Sequence, residues 1–236
     1  GYNSKISGGT NNILLGSNLN TVNSSNSLSI GSSNTLNSAN FSHVNGYRNT
    51  SNAEFSNIFG SENIVNTGAT YATVLGRNNT ANGKYSQVGG YSAITKNIGE
   101  FARSSAGNYG QISINNYVGS TISNIGTEIF IGGTERLLIP NNTAYYVKLS
   151  IVGIEITSGY SVCIESNDIL ITNTNNTVSL IGTPTLTLKQ YSPFFGACGA
   201  IVTADNTNKT MNLTIYGAEL FNMKWNAKVE YVSVYM

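Results

Sequence analysis

Bond-breaking chemistry needs a nucleophile, a base or paired acids, and this chain offers few of them. His43 is the only histidine among 236 residues, and it falls in a repeated segment at a position that Ile13 and Leu28 occupy in the two preceding units. A surface or interface role is expected for it rather than general-base work. Glycoside cleavage needs two carboxylates at a set separation, yet the acids are scattered, and both aspartates, Asp168 and Asp205, sit beside expected turns. Calcium wants several clustered oxygen ligands, and no Asp-rich loop exists. Cys163 and Cys198 match no zinc or CxxC spacing, so two buried free thiols are expected, with a single disulfide as the alternative. The chain is therefore expected to be neither an enzyme nor a holder of a metal or cofactor. A polysaccharide depolymerase whose acids meet across chain boundaries is the enzymatic alternative.

Composition points to shape and surface. Charged residues make up 10% of the chain, the net charge is +1, and hydrophobic residues reach 40%. Disorder usually needs the opposite balance, so folded β material is expected. Lys and Arg never cluster, which leaves no stripe to hold phosphates and argues against a nucleic-acid partner. No apolar run approaches the ~18 residues of a membrane span, and insertion into a membrane is not expected.

What organises the first hundred residues is a glycine column. Gly16, Gly31, Gly46, Gly60, Gly76 and Gly90 recur at spacings of 15, 15, 14, 16 and 14, inside NNILLGSNLNTVN, NSLSIGSSNTLN, FSHVNGYRNTSN, FSNIFGSENIVN, YATVLGRNNTAN and YSQVGGYSAITKN. Each unit is too short to bury its own apolar face, so it becomes stable only by stacking on copies of itself. Asn20, Asn34, Asn49, Asn63 and Asn79 form one asparagine column, and Asn23, Asn37, Asn52, Asn66 and Asn82 a second. Asparagine tolerates left-handed backbone, and its amide can ladder from coil to coil, so these columns are expected at stacked corners.

Two apolar columns precede the glycine. One holds Leu14, Ser29, Val44, Ile58, Val74 and Val88; the next holds Leu15, Ile30, Asn45, Phe59, Leu75 and Gly89. Successive strand residues point to opposite faces, so one column fills the coil while the other needs a covering. Another copy of the chain is the expected cover, with Leu15, Ile30, Phe59, Leu75 and the six glycines as packing positions. A single-chain solenoid whose apolar flank is covered by the second domain is the alternative. Asn45, Gly89 and the drifting coil length are expected to disturb the roll locally. Tyr47 and Tyr91, each directly after a repeat glycine, are expected as an outer aromatic flank.

The pattern NSLSIGSSNTLNSAN resembles the head repeats of trimeric autotransporter adhesins and the shaft repeats of bacteriophage tail fibres. Over residues 10 to 97 this resemblance implies a parallel β-roll, trimeric about its long axis, with strands about 4.8 Å apart.

Near residue 98 the period stops, and a segment rich in small residues, 98–110, reads as a junction. Beyond it apolar alternation of period two marks about ten strands: Gln111 to Val118, Glu128 to Ile131, Arg136 to Ile139, Ala144 to Ile156, Ser161 to Glu165, Ile169 to Thr172, Val178 to Ile181, Gly199 to Thr203, Thr210 to Tyr216 and Met223 to Tyr235. Turn signals separate them, so the expected fold class is all-β: a parallel β-roll over 1–97, then an antiparallel sandwich of jelly-roll type over 111–236. The order of Ser105-Ala106-Gly107-Asn108-Tyr109-Gly110-Gln111, Gly133-Thr134-Glu135-Arg136 and Met223-Lys224-Trp225-Asn226 is similar to the terminal receptor-binding domain of many phage tail fibres. That resemblance implies a trimeric sandwich tip contacting the host surface.

Within that tip, Tyr191-Ser192-Pro193-Phe194-Phe195-Gly196 suits sugar stacking or an apolar protein contact, or else forms an inward core plug. The hairpin 205–209 is the other candidate tip, which makes Tyr191, Phe194, Phe195, Asn206 and Asn208 the candidate receptor contacts. Trp225 is expected in the core. The expected function is that of a non-enzymatic homotrimeric phage tail fibre or receptor-binding protein. It would be an extracellular part of the virion, attached to an upstream fibre component and binding a host glycan or protein. A bacterial trimeric adhesin head and a structural spike without receptor role are the remaining alternatives. Gly1 falls inside a repeat-like segment, which suggests a carboxyl-terminal piece of something longer.

Overall fold

The computed structural model describes residues 2–105, 110–193 and 195–235 and is all-β among them. It divides into two units, Gly1–Ser113 and Ile114–Met236.

The first unit is a parallel β-solenoid of about seven turns. One sheet stacks β1 (Lys5–Ser7), β3 (Asn20–Val22), β5 (Thr35–Asn37), β7 (Thr50–Ser51), β9 (Ile64–Val65), β11 (Thr80–Ala81) and β13 (Ile94–Thr95). The other stacks β2 (Ile13–Ser17), β4 (Leu28–Ser32), β6 (His43–Tyr47), β8 (Asn57–Ser61), β10 (Thr73–Arg77), β12 (Gln87–Tyr91) and β14 (Phe101–Ser104). The last rung falls inside the expected junction. Phe101–Ser104 pairs in parallel with Gln87–Gly90, and Ser104 takes the glycine's place. Residues 106–109 of that junction lie outside the described residues.

Glycine is required because the backbones of successive coils touch there. A Cβ on Gly60 would stand 1.9 Å from the Gly76 carbonyl oxygen, and its φ of 130° suits no L side chain. Two residues further, Asn18, Ser33, Arg48, Glu62, Asn78 and Ser92 hold the left-handed corner. Of the asparagines expected to hold such corners, Asn23 does so, at φ 50°, whereas Asn34, Asn49, Asn63 and Asn79 stand one position after the corner and do something else. Asn34, Asn49, Asn63 and Asn79 are fully buried. Asn49, Asn63 and Asn79 each donate Nδ2 to the preceding Oδ1, at 3.1, 3.0 and 3.1 Å. All four also donate to the glycine carbonyl of the next coil. Asn20 is outside this ladder, because Leu19 occupies its place and Asn20 pairs with Thr35. The second column is half-exposed and less regular, with Asn37 bonded to Asn52 and Asn66 to Asn82.

Inside, Val44, Ile58, Val74 and Val88 are buried, each contributing about 1.5–3 kcal/mol. The interior is thin, so Ala and Ser fill the rest. Ser51, Ser56 and Ser42 share a hydroxyl chain with contacts of 2.6 and 3.0 Å. Asn45 and Gly89 do not break the roll; both keep register with their neighbours because their position faces outward. The longest glycine spacing is taken up by a loop at 67–68, where Gly68 has open space around it.

The second unit contains antiparallel strands. β15 (Gln111–Thr121) leads into it, followed by β16 (Thr127–Ile131), β17 (Leu137–Leu138), β18 (Thr143–Glu155), β19 (Ser161–Asn167), β20 (Ile169–Thr174), β21 (Thr177–Ile181), β22 (Thr185–Tyr191), β23 (Gly199–Asp205), β24 (Thr210–Tyr216) and β25 (Met223–Tyr235). β22 is a strand that the alternation had not marked. The spine is β18 against β25, in unbroken register from Thr143↔Tyr235 to Glu155↔Met223. β20 and β19 share the other edge of β18, β21 extends β20, and β22 extends β19. β24 pairs with β16, β17 and β23. Tyr145, Val147, Leu149 and Ile151 point into a core that includes Leu213, Ile215, Val229 and Tyr231.

Candidate functional site

Two surfaces answer to the sequence reading: the outward face of the solenoid, and the loops of the second unit.

On the solenoid, the β2–β14 sheet turns its second apolar column to solvent. Leu15 is 55% exposed, Phe59 38% and Leu75 51%, while Ile30 is half-buried. Strand alternation forces this, since Val44, Ile58 and Val74 occupy the inside of the same rungs. His43 stands on the outward face with its ring edge-on to Phe59 at 5.0 Å, and its buried Nε2 has no hydrogen-bond partner. Gly89 leaves a dimple of about 230 Å³ between Leu75 and Phe101, with Gln87 and Arg103 at its rim. Tyr47 and Tyr91 are exposed as expected, and the Arg48 guanidinium lies 4.9 Å from the Tyr47 ring.

A further feature escaped the sequence reading. Phe41, Phe55, Tyr71 and Tyr85 stack from coil to coil. The signal was present: each lies five residues before its glycine and opens its unit in FSHVNG, FSNIFG, YATVLG and YSQVGG.

The candidate loop residues separate. Tyr191 ends β22, is 56% exposed, and borders a cavity of about 480 Å³ shared with Val152, Cys163, Gln190 and Ser192. Phe195 is fully buried, edge-on to Phe221 at 5.0 Å and to Tyr160 at 6.2 Å. It is the core plug rather than a receptor contact, because the turn from Ser192 folds it inward. Phe194 lies outside the described residues. Asn206 is committed internally: its Oδ1 accepts from the Val178 N–H at 2.6 Å and its Nδ2 donates to the Val178 carbonyl at 2.9 Å. Asn208 donates Nδ2 to Asp205 at 2.7 Å, and the N–H groups of Thr207 and Asn208 close on the same carboxylate. These bonds, Asn208's side chain first, hold the Asp205 carboxyl below its ordinary range. Turn geometry thus accounts for Asp205, and the exposed residues of that tip are Asn206, whose amide is nonetheless engaged by Val178, Thr207 and Asn208.

Arg136, Glu128 and Glu155 in this unit are also engaged. Arg136 makes a two-pronged pair with Glu128, at 2.6 and 2.7 Å. Glu155 accepts from the Ser158 hydroxyl and from the Ser158 and Thr157 N–H groups, which bring its carboxyl down to about 2. Trp225 is 3% exposed and donates Nε1 to Thr121 Oγ1 at 2.9 Å, a core role as expected. Cys163 and Cys198 are free, and burial pushes the Cys198 thiol up to about 11. Among the described residues no three His, Cys, Asp or Glu side chains gather where a metal ion would sit.

No protein-family model matches the chain, and no curated protein is similar to it. Among solved structures it aligns weakly with the crystal structure of the Acinetobacter phage vB_ApiP_P1 tailspike protein, at 10% identity and a TM-score of 0.22, over 96% of this chain and 54% of that one. The chain thus spans about half the length of that tailspike, and a superposition this loose carries no argument about function.

Proposed function

We propose that this chain is part of a homotrimeric phage tail fibre or receptor-binding protein, an extracellular virion component that attaches without chemistry to a host glycan or protein. The observation that carries the reading is the outward column of Leu15, Ile30, Phe59 and Leu75. An apolar column that recurs on four rungs of a solenoid, interrupted at Asn45 and Gly89, is the kind of surface that another chain covers. The antiparallel strands beyond it are read as a sandwich tip that does the recognising, with Tyr191 and Asn208 as contacts. Three copies of a weak site would raise apparent affinity through avidity.

Native mass spectrometry tests the assembly. A species at three times 25.1 kDa is expected, and a monomer refutes it. Recognition is tested by adding the purified protein to host cells and measuring whether it blocks phage adsorption. Release of oligosaccharides from host capsule would replace the binding reading with the depolymerase one.

A further inference from the structure

The geometry points to the row Phe41, Phe55, Tyr71 and Tyr85 as a seam along which a second copy of this chain packs. The inference rests on the self-association proposed above and names a surface of it that the outward strand columns do not include.

All four residues hold left-handed backbone, with φ of 55°, 55°, 62° and 58°. The same corner in the flanking coils is closed by Asn11, Asn26 and Gly99, the residue types suited to that conformation. Asn11 donates Nδ2 to Asn26 Oδ1 at 3.1 Å, so the polar version of the corner also ladders. A ring residue there costs roughly 1–2 kcal/mol. The rings recover part of this by stacking, with centroids 5.0, 4.7 and 5.1 Å apart and planes within 19°. Stacking returns about 0.5–1.5 kcal/mol a pair, and three pairs serve four strained residues. Asparagine closes the same corner and ladders without that strain, which points to a use of the ring row outside the single chain.

Phe41, Tyr71 and Tyr85 remain 55%, 47% and 53% exposed. Because the rings lie face to face, the inner two, Phe55 and Tyr71, turn edges rather than faces to solvent, and at one end Lys84 Nζ lies over the Tyr85 ring at 4.9 Å. Sugars stack on ring faces, so a row of edges suits protein side chains better than a glycan. A partner engaging every ring must also repeat at about 4.8 Å, and a parallel copy of this solenoid does so by construction.

Area gives a further argument. Six rungs of five residues and one of four make a sheet face of about 500 Å², short of the roughly 800 Å² per partner of a stable interface. Four half-exposed rings beside that face add about 300 Å², which closes the gap.

The test replaces all four rings in the full chain with the residue the corner itself uses elsewhere: Phe41→Asn, Phe55→Asn, Tyr71→Asn and Tyr85→Asn. Sedimentation should show association weakened roughly 100-fold or more, as expected for loss of central aromatics, with an unchanged β-type circular dichroism spectrum. A folded variant that stays trimeric at wild-type concentrations overturns the seam while leaving self-association standing. A monomeric wild type removes both. A trimeric variant that no longer blocks adsorption reassigns the rings to the receptor and overturns the seam as well. If the variant does not fold, hydroxyl-radical footprinting of the wild type decides: Tyr71 and Tyr85 should be protected in the assembly relative to dilute monomer, and equal labelling refutes the proposal.

Discussion

At the scale of residues, the solenoid rests on side chains whose value lies in bonds to the neighbouring coil. Asn63 is the clearest. Its Oδ1 accepts from the N–H and the Nδ2 of Asn79, and its own Nδ2 reaches Asn49 and the Gly76 carbonyl. Asn63→Ala leaves several buried groups unpaired at about 1–3 kcal/mol each, so a loss of roughly 3 kcal/mol or more is expected in urea unfolding. Glu155 makes a pH prediction. Its folded carboxyl, at about 2, lies below its ordinary value of 4.5 because of the Ser158 hydroxyl and neighbouring N–H groups. A depressed carboxyl contributes stability above its unfolded value and loses it as pH falls through the folded one. Stability should therefore decline between about pH 4.5 and 2, and Glu155→Gln should flatten that part of the profile in thermal melts. A variant with the wild-type slope would show that other carboxylates dominate.

Elements were legible in the sequence where a backbone demand leaves one residue type. The glycine column was readable because each Cβ would strike the next coil's carbonyl. Strands such as β18 and β25 were readable from period two, since each has one face in the core. What escaped follows from the same physics. Asn20 was placed in the ladder because its type fits, yet the coil sets Leu19 there, and composition cannot say which residue turns inward. β14 was hidden because Ser104 stands where glycine had marked every earlier rung. β22 was hidden because its alternating Leu186 and Leu188 are only half-buried among exposed neighbours. The loop Tyr191 to Gly196 offered two aromatics of equal promise for surface or core, and only tertiary packing sent Phe195 inward. β18 and β25 also yield a prediction. Gly153 sits opposite Trp225, whose ring covers the bare backbone, and a Cβ there would approach the ring to 2.3 Å. Gly153→Ala should displace Trp225 from Thr121 and cost about 1–3 kcal/mol, read as a shift in tryptophan fluorescence together with a lower Tm. An unshifted spectrum would mean that the strand absorbs the methyl elsewhere.

For the molecule as a whole, the two units divide labour by the kind of neighbour each residue meets. In Gly1–Ser113 most bonds join a coil to the next, so stability should grow with coil number. In Ile114–Met236 the long β18–β25 pairing joins residues distant in sequence, and such pairing is slow to form. Removing one whole coil, residues 49–62, joins Arg48 to Asn63 and so reproduces the left-handed residue followed by a ladder asparagine. The shortened chain should still unfold cooperatively, with a Tm lower by a few degrees at about 2–4 °C per kcal/mol lost; loss of the β-type spectrum would refute that additivity.

The asparagine ladder has one more consequence. It begins beside Leu19 and ends where the Ala93 N–H meets Asn79 Oδ1, so its ends are apolar stops while its interior rungs are interchangeable. A stack with distinct ends and identical middles is a ruler whose length is set by copy number. A gene encoding it can lengthen or shorten the stack by whole units while leaving both stops in place.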